Sequence, residues 1–325
     1  MSVGHWARHR SDQAALKITL GSRMDNKPGA FRFLNVWASN PGLLEVIRQA
    51  WQAESSGSTL KILCSKLLRT RRAIQDWNKG VFGNVFEVVK RAEANVLAAE
   101  TRTEQDDSME AQVELSKAQA ELRHALLNEE KFWSQKARVK WLQYGDRNSR
   151  YFHATVQQRR VQGAIHRVKD GNSVWVKDDE GIANEAVRFF SDLFSGSGGS
   201  VGDWEHLIPT MVTQEDRAGL DADPTREEVK RVVFEMDGDS AAGPDGFTGQ
   251  FFTFAWDVIA QDVYNAVLSF FCEAELPRFV TSTSIVLIPK VPRPQDFSKY
   301  RPISLFNFFN KVLSRILADR LASIL

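Results

Sequence analysis

The amino-acid sequence predicts a mainly α fold with small β hairpins, that is, an α+β protein. Apolar side chains recur at helical spacing over about 130 residues after residue 40, which predicts several long helices. Two short runs of β-branched residues, near residues 162–176 and 281–305, lie beside glycines or prolines and predict hairpins. With 325 residues, of which 43% are hydrophobic, the chain is long enough for roughly two or three domains.

Cysteine content and hydropathy restrict the environment in which we expect the chain to work. Cys64 and Cys272 are too few for a disulfide framework or a cysteine metal site, so a reducing intracellular setting, nuclear or cytoplasmic, is expected. No apolar run approaches the ~20 residues of a membrane-spanning helix, which predicts no contact with a membrane. The N-terminus lacks a hydrophobic signal core, so we expect no signal peptide.

The first 30 residues predict one strand, at residues 17–20, and no core of their own. His5 and His9 have no Asp, Glu, His or Cys cluster around them at metal-ligand spacing, so solvated side chains are expected. An apolar, aromatic strip from Phe31 to Trp37 follows.

A long antiparallel helical arm is predicted after this strip. Apolar residues recur at helical spacing over residues 85–99 and again over residues 115–129. The polar turn near residues 103–108 separates the two helices, and its run Asp106-Asp107-Ser108 is a candidate cap for the second one. The apolar stripe is narrow, which is typical of a coiled-coil-like arm. We interpret this arm as a structural spacer; a surface that binds a protein partner is the alternative.

A basic, aromatic stretch extends from Lys131 to Lys169. Its ten lysines and arginines and its single acid, Asp146, give a net charge of +9. Cations beside aromatic rings suit RNA or DNA, through counterion release and base stacking. Alternatively, the rings pack inward and the cations are only solvated. We expect a mixture of the two, with these candidate nucleic-acid-binding residues: Lys136, Arg138, Lys140, Arg147, Arg150, Arg159 and Arg160.

The middle of the chain predicts a hairpin followed by a helix. Asp170-Gly171 is the strongest turn signal of the hairpin at residues 162–176. The acids at residues 178–180 have two interpretations, a metal site or the favourable first turn of a helix, and we prefer the helix. Residues 195–200 are rich in Gly and Ser and predict a flexible linker or a surface loop, and Thr225 begins a predicted capping box with Glu228. We predict no catalytic residue and no metal ligand in this chain.

The glycine-rich turn at residues 240–246 lacks the Gly-Lys-Ser/Thr ending of a nucleotide-binding P-loop. Gly243 and Gly246 would let the backbone approach a phosphate of a nucleic acid; a plain turn between two helices is the alternative. A helix is predicted from Phe251 to Phe271, and another from about Phe306.

The stretch from Thr281 to Leu305 predicts a hairpin whose first strand, Ile285–Ile288, is buried. Lys290 leaves this strand, and Arg301 enters the second one. The two cations would then lie near the same hairpin loop, where lysine acts as a point charge and arginine as a two-pronged donor for phosphate. An ordinary solvated hairpin is the alternative.

Several of these segments resemble, in the same order, reverse transcriptases of plant non-LTR (LINE-type) retrotransposons. The resemblance covers roughly the last third of the chain most specifically. Its main motifs are Ala242-Gly-Pro-Asp-Gly-Phe247, Ile285-Val-Leu-Ile-Pro-Lys290, Tyr300-Arg-Pro-Ile-Ser-Leu305 and Asn310-Lys-Val-Leu-Ser-Arg-Ile-Leu-Ala-Asp-Arg-Leu321. Upstream, the Trp141–His153 stretch is similar to the family's Trp-Leu-x-x-Gly-Asp-x-Asn-Ser/Thr-x-x-Phe-His signature.

The resemblance implies four segments. Residues 1–30 would be a remnant of the endonuclease C-terminus, with Gln13 where the family has a catalytic histidine, so no nuclease activity is expected. Residues 31–160 would be a helical linker that contains the arm, and residues 161–200 a hairpin, helix and loop. Residues 201–325 would be the N-terminal extension and an incomplete fingers subdomain that stops before the palm.

The resemblance also implies a function. Lys290 and Arg301 would face the triphosphate of an incoming dNTP, while the family's Mg²⁺ or Mn²⁺ is bound by palm aspartates that follow residue 325. No cofactor is therefore expected in this chain. We expect a truncated RNA-directed DNA polymerase polypeptide that binds nucleic acid and is inactive by itself. A non-enzymatic helical scaffold for protein interactions is the alternative function.

Overall fold

The computed structural model describes residues 2–5, 16–19, 30–106, 108–138, 149–196 and 212–324. The chain divides into two compact units, residues 1–31 and residues 32–325. In the first unit, β1 (Ser2–His5) pairs antiparallel with β2 (Leu16–Thr19), with Ser2 opposite Thr19. The second strand matches the predicted strand within one residue.

The second unit is mostly helical. Its helices are α1 (Gly42–Gln52), α2 (Thr59–Trp77), α3 (Val85–Gln105), α4 (Met109–Ala137), α5 (Ser149–Gly163), α6 (Asp179–Phe194), α7 (Gln214–Asp221), α8 (Arg226–Glu235), α9 (Gly249–Phe254), α10 (Trp256–Phe271), α11 (Arg278–Thr281) and α12 (Phe308–Ala322). Two antiparallel hairpins complete it: β3 (Val168–Lys169) with β4 (Trp175–Val176), and β5 (Thr283–Pro289) with β6 (Tyr300–Phe306). This composition confirms a mainly α protein with small β hairpins.

Helices α3 and α4 form the predicted antiparallel pair. The Ser108 hydroxyl caps α4 by accepting a hydrogen bond from the Ala111 backbone N–H, as the sequence indicated. A salt bridge of 2.6 Å joins Arg102 to Glu114 near the connecting turn. At the opposite end, the rings of Phe86 and Phe132 meet edge-on, 5.6 Å apart. These two contacts, one near each end of the pair, show that the helices run side by side along most of their length.

Small side chains allow the two helices of this arm to approach closely. In α4 the buried residues that face α3 include alanines spaced by seven residues: Ala111, Ala118 and Ala125. Ala125 packs in a small cluster with Val89 and Ala92 of α3. A seven-residue repeat of small residues keeps one narrow face towards the partner helix.

The main hydrophobic core joins the start of the second unit to its last helix. Phe33 packs edge-on against Phe251, with ring centroids 5.4 Å apart, and Phe252 packs against Phe308 at 4.7 Å. All four side chains are at most 1% exposed. Residue 33 and helices α9 and α12 are therefore held in one core despite their distance in sequence.

A second, smaller core supports the tip of the β5–β6 hairpin. Phe297 and Tyr300, from the loop and the first residue of β6, are buried against Val168, Ile182 and Phe190. The Lys169 backbone N–H also donates to the Gln295 carbonyl at 2.7 Å. The β3–β4 hairpin and α6 thus pack against the loop that follows Lys290.

Three predictions of local structure are corrected by the coordinates. The strand predicted as buried is exposed, because β5 pairs with no strand of the described residues other than β6: Ile285 is 43% exposed and Ile288 is 46% exposed. The helix predicted from residue 251 to 271 is interrupted at Ala255, between α9 and α10. The last helix begins at Phe308, since Asn307 is its N-terminal flanking residue.

Capping of α8 also differs in part from the prediction. The Thr225 hydroxyl accepts a hydrogen bond from the Glu228 N–H, as expected for a capping residue. The Glu228 carboxylate is bound by Arg320 of α12 instead of returning to the cap. At α6, the Asp178 carboxylate accepts from the Gly181 N–H, which agrees with the preferred helix-start interpretation of that acidic run.

Candidate nucleic-acid interface

Gln135 fixes the end of the arm against the rest of the second unit. Its Nε2 donates to the Phe33 carbonyl at 2.9 Å, and its Oε1 accepts from the Asn35 backbone N–H at 2.8 Å. Asn35 in turn donates through Nδ2 to Asp239 at 2.6 Å. One glutamine side chain therefore satisfies a backbone donor and a backbone acceptor of the residue 33–35 segment, and it positions the basic residues that follow it.

Lys136 and Arg138 lie at this anchored end of α4. The Lys136 ammonium lies over the Phe132 ring, 4.0 Å from its centroid, and 5.6 Å from that of Trp133. Arg138 ends the helix in the left-handed region, with φ 47° and ψ 43°, and its N–H donates to the Ser134 carbonyl at 2.9 Å. Both side chains remain exposed. The rings thus pack beneath the cations, as the mixed interpretation expected.

Helix α5 brings further cations to the same place. A guanidinium N–H of Arg159 donates to the Ala137 carbonyl at the end of α4. Arg160 is the next residue and is exposed. The His153 ring of the same helix meets the Trp133 ring edge-on, 4.7 Å away. Two of the predicted nucleic-acid-binding residues of α5 therefore lie against the two predicted at the end of α4.

Electrostatic effects on these cations identify two further members of the group. Desolvation lowers the pKa of Arg138, and the charges of Arg32 and Arg159 lower it further. The pKa of Lys136 is also lowered, by desolvation and then by Arg160 and Arg32. The same holds for Lys311 of α12, whose pKa is lowered by desolvation and then by Arg138. Arg32 and Lys311 were not among the predicted binding residues, since they lie outside the basic stretch.

We call this group of cations the foot patch, because it lies at the foot of the arm. Its members are Arg32, Lys136, Arg138, Arg159, Arg160 and Lys311. None of the six forms a salt bridge with a carboxylate of the described residues. A set of like charges without paired acids favours binding of an anion. Of the other predicted residues, Lys140, Arg147 and the side chain of Arg150 lie outside the described part.

The two glycines predicted to approach a phosphate make contacts within the protein. A Cβ at Gly243 would lie 2.4 Å from the Asn307 N atom, so the close approach at this position is to the start of α12. Gly246 has φ 82°, and its carbonyl accepts from the Phe33 N–H at 2.8 Å. Gly243 is needed for close packing and Gly246 for its positive φ, and the role of both towards nucleic acid stays a prediction.

Asp245, between these glycines, is a buried acid. Its side chain is among the buried polar groups at 2% exposure, and burial raises its pKa to about 7. Oδ1 accepts from the Phe247 N–H at 3.0 Å, whereas Oδ2 has no hydrogen-bond partner among the described residues. The Asp245 N–H donates to Asn307 Oδ1, also at 3.0 Å. The carboxyl group is thus buried within the glycine turn, and the backbone of this turn is joined to Asn307 at the start of α12.

Lys290 and Arg301 lie on the β5–β6 hairpin as the sequence indicated. Arg301 is opposite Ile288, and the Lys290 N–H donates to the Lys299 carbonyl at 2.8 Å, which extends the pairing beyond Pro289. Residues 299 and 301 are two apart, so the two cations are diagonal neighbours on one face, with a Cα separation of roughly 7–8 Å. Both are exposed, and Lys290 Nζ donates to the Ser298 carbonyl at 2.8 Å.

Comparison with known proteins finds relatives among transposable elements. Over 271 residues, which cover 82% of this chain, the chain is 26% identical to the transposon TX1 uncharacterized 149 kDa protein of Xenopus laevis. Over 97 residues, or 30% of the chain, it is 33% identical to the retrovirus-related Pol polyprotein from the type-1 retrotransposable element R2 of Nasonia vitripennis. Both relatives are named as proteins of transposable elements. No family model matches the chain.

The aligned region is a small part of each retrotransposon relative. The chain spans 20% of the length of the TX1 protein and 9% of the R2 polyprotein. The described residues contain no group of three or more His, Cys, Asp or Glu side chains that would hold a metal ion. Among those same residues, no helix is both long and apolar enough to cross a membrane.

Proposed function

We propose that the chain is part of a LINE-type retrotransposon reverse transcriptase and that it binds RNA or DNA through the foot patch. The observation that carries the proposal is the contact of α5 with the end of α4, where Arg159 donates to the Ala137 carbonyl. It brings together Lys136, Arg138, Arg159 and Arg160, which form no salt bridge with an acid of the described residues, in a chain whose relatives are proteins of transposable elements. Cations that neutralise backbone phosphates release condensed counterions, which drives binding that depends little on sequence.

The β5–β6 hairpin would contribute a second function, contact with the triphosphate of a dNTP. Lys290 and Arg301 are exposed on one face and together offer a point charge and a fork of donors, the two forms that suit phosphate oxygens. Removal of the charge at either residue should weaken the binding of a dNTP. The matched control is Arg293→Gln, in the connecting loop of the same hairpin.

Catalysis in this family would need Mg²⁺ or Mn²⁺ bound by palm carboxylates. The described residues do not fit such a site, because they lack a cluster of three candidate ligands. We therefore propose that these 325 residues bind nucleic acid and nucleotide and do not extend a primer. Primer extension on an RNA template with Mg²⁺ or Mn²⁺ tests this part. Template-dependent synthesis that is lost in a Lys290→Ala/Arg301→Ala variant would refute it.

Salt titration of RNA binding tests the main proposal. Charge reversal in Arg159→Glu/Arg160→Glu should weaken binding of a labelled single-stranded RNA and make its dependence on salt less steep. Reversal of Lys90 and Arg123, two exposed cations of the arm, is the matched control and should change little. Absence of binding at low salt in the unmodified protein would reject the proposal.

Exposed apolar side chains favour the alternative, a protein-binding scaffold. Near the turn of the arm, Leu97 is 66% exposed, Met109 82% and Val113 62%. Apolar groups in water favour association with another surface. If the arm serves as a scaffold, changing all three to Gln should abolish capture of a protein partner while RNA binding stays intact.

A further inference from the structure

The β3–β4 hairpin uses one face for the protein core and presents a tryptophan and cations on the other. Val168 and Val176 stand opposite each other, and Val168 is only 1% exposed in the small core at the tip of the β5–β6 hairpin. Lys169 and Trp175 form the next pair of the ladder. Because side chains alternate along a strand, Lys169 and Trp175 lie on the face that points away from this core.

Two cations of this outer face lie over the indole ring. The Arg167 Cζ atom is 4.5 Å from the ring centroid of Trp175, and Lys169 Nζ is 5.2 Å from it. Trp175 is partly exposed and is not among the described residues that pack against the small core. Neither cation forms a salt bridge with a carboxylate of the described residues. The outer face therefore combines an aromatic ring with two positive charges that no acid pairs.

We propose that Arg167, Lys169 and Trp175 form a binding site for single-stranded nucleic acid, in which an unpaired base stacks on the Arg167–Trp175 pair and the cations contact the adjoining phosphates. Unpaired bases are commonly bound by stacking on aromatic rings or on arginine guanidinium planes. The inference rests on the proposed nucleic-acid-binding function and deepens it by adding a stacking site to the foot patch. Arg167 and Lys169 were not among the predicted binding residues, and Trp175 lies outside the basic stretch.

Hydrogen bonds hold this outer face in place without a ligand. The Lys169 N–H donates to the Gln295 carbonyl at 2.7 Å. In the turn, the Asp170 N–H donates to the Val174 carbonyl at 2.9 Å, and the Asp170 carboxylate accepts from the Val174 N–H at 2.8 Å. A hairpin with two-residue strands is marginal by itself, and these bonds support it. A surface that is already ordered loses less entropy when it binds, which favours recognition.

The charges around the ring favour a ligand over a purely structural contact. A cation beside an exposed ring contributes little to stability, and two cations beside the same ring repel each other. Asp170, the acid next to Lys169 in the sequence, accepts from the Asn172 and Val174 N–H groups and so serves the turn. A single strand of nucleic acid offers a base to the ring and phosphates to the cations, whereas an acidic peptide offers only the charge.

The stacking site lies within reach of a strand that also contacts the foot patch. Helix α5, which carries Arg160 of that patch, ends at Gly163, and β3 begins at Val168. Arg160 and Arg167 are seven positions apart, so their Cα atoms are separated by at most about 25 Å. We therefore expect one RNA to occupy both places, with loss of either contact weakening the same complex.

Fluorescence anisotropy with a labelled single-stranded RNA of about 20 nucleotides tests the stacking. Trp175→Leu should weaken binding about tenfold and leave the slope of log affinity against log salt unchanged, because it removes a ring and no charge. Trp175→Phe keeps a ring and should restore most of the affinity. Val174→Ala removes an exposed apolar group from the same hairpin and is the matched control, with no effect expected. Thermal denaturation verifies that each variant folds.

Replacement of the cation should give the opposite signature. Arg167→Gln should weaken binding and also reduce the salt slope by about 0.7, the value for one lost phosphate contact of a single strand. Arg123→Gln, an exposed cation of the arm, removes the same charge and should leave both quantities unchanged. Since a paired base is not free to stack, Trp175→Leu should have little effect on binding of a duplex of the same sequence.

Photocrosslinking locates the contact in the unmodified protein. An RNA that carries 5-bromouridine should crosslink to the tryptic peptide Asp170–Lys177, which contains Trp175. Crosslinks confined to other peptides, or unchanged RNA affinity in Trp175→Leu, would overturn the inference. Poly-glutamate that binds as tightly as RNA and loses affinity in Trp175→Leu would assign the face to an acidic protein instead.

The same measurements separate this inference from the proposed function. If Arg159→Glu/Arg160→Glu weakens RNA binding and Trp175→Leu does not, the stacking site fails while the proposed function stands. Absence of RNA binding by the unmodified protein at low salt would reject both.

Discussion

Arg320 of α12 holds the Glu228 carboxylate of α8 with two parallel hydrogen bonds. Nε donates to Oε1 at 3.0 Å and Nη2 to Oε2 at 2.9 Å. The same guanidinium donates to the Leu220 and Ala222 carbonyls and lies 5.0 Å from the Phe271 ring centroid. The pKa of Glu228 is lowered chiefly by the Arg320 hydrogen bonds. One arginine therefore joins α12 to α8 and to the end of α7.

Removal of this arginine should destabilise the fold. We expect Arg320→Ala to lower the free energy of unfolding by about 2–4 kcal/mol, because a partly buried carboxylate and two carbonyls lose their donor. Urea denaturation followed by circular dichroism measures the change. Arg315→Ala is the matched control: it removes an exposed pair within one helix, with Asp319, and should cost less than about 0.5 kcal/mol. Equal losses in both variants would contradict the prediction.

Stability should fall as pH rises, because of Asp245. Its pKa is raised to about 7 in the folded protein by burial, from an ordinary 3.8, against the favourable effects of the Phe247 N–H, Arg71 and Lys311. The folded state therefore retains a proton that the unfolded state loses between these two pH values. The contribution is fully present below pH 4, declines up to about pH 7, and is absent above it.

An isosteric variant isolates this effect. Asp245→Asn keeps an oxygen that accepts from the Phe247 N–H but cannot titrate. We expect the difference in unfolding free energy between pH 4.5 and 7.5 to shrink by a few kcal/mol, on the order of 3, relative to the unmodified protein. Chemical denaturation at both pH values measures it. An identical pH dependence in the two proteins would show that Asp245 titrates normally.

Substitution at Gly243 should disturb the junction between the glycine turn and α12. A Cβ at this position would lie 2.4 Å from the Asn307 N atom and 2.5 Å from the Phe306 carbonyl carbon, and neither is a flexible group. We expect Gly243→Ala to destabilise the protein by about 1–3 kcal/mol. Gly219→Ala in α7 meets no atom within 4 Å and should be neutral or stabilising by about 0.5–1 kcal/mol. Thermal denaturation of the Gly243→Ala and Gly219→Ala variants compares their stabilities.

Gln135 should be needed to keep the arm anchored. Gln135→Leu is similar in size but leaves the Phe33 carbonyl and the Asn35 N–H without their partner. We expect a loss of about 1–3 kcal/mol in stability. Faster hydrogen exchange at the Asn35 amide would locate the change. Replacement of Gln112, an exposed glutamine of the same helix, by Leu is the control and should leave that amide protected.

Local features of the chain were readable from its sequence. The helices of the arm followed from apolar spacing, and the cap of the second one, Ser108, lies in the polar run Asp106-Asp107-Ser108 that was predicted to hold it. The hairpin around Asp170 followed from its turn residues, and the Asp170 carboxylate accepts from the Asn172 and Val174 N–H groups. Such features depend on neighbours within a few positions, which a sequence shows directly.

Features that depend on tertiary contacts were either not predicted or predicted wrongly. Arg32 and Lys311 are isolated cations in the sequence, and their electrostatic interaction with Arg138 arises only from tertiary packing between distant segments. The strand Ile285–Ile288 was predicted as buried from its apolar run, but burial depends on what covers the sheet, and β5 has one neighbour. Glu228 was assigned to its own cap, while Arg320, 92 positions away, binds it.

The small core at the tip of the β5–β6 hairpin limits where a shorter fragment of the chain can begin. Phe297 and Tyr300 are covered by Val168, Ile182 and Phe190, which lie before residue 196, whereas the hairpin lies after residue 282. A fragment that starts near residue 201 would retain the hairpin and lose its cover, exposing two aromatic rings next to Lys290. A fragment that contains only the last third of the chain should therefore aggregate. A shorter fragment intended for nucleotide-binding measurements should begin before residue 165.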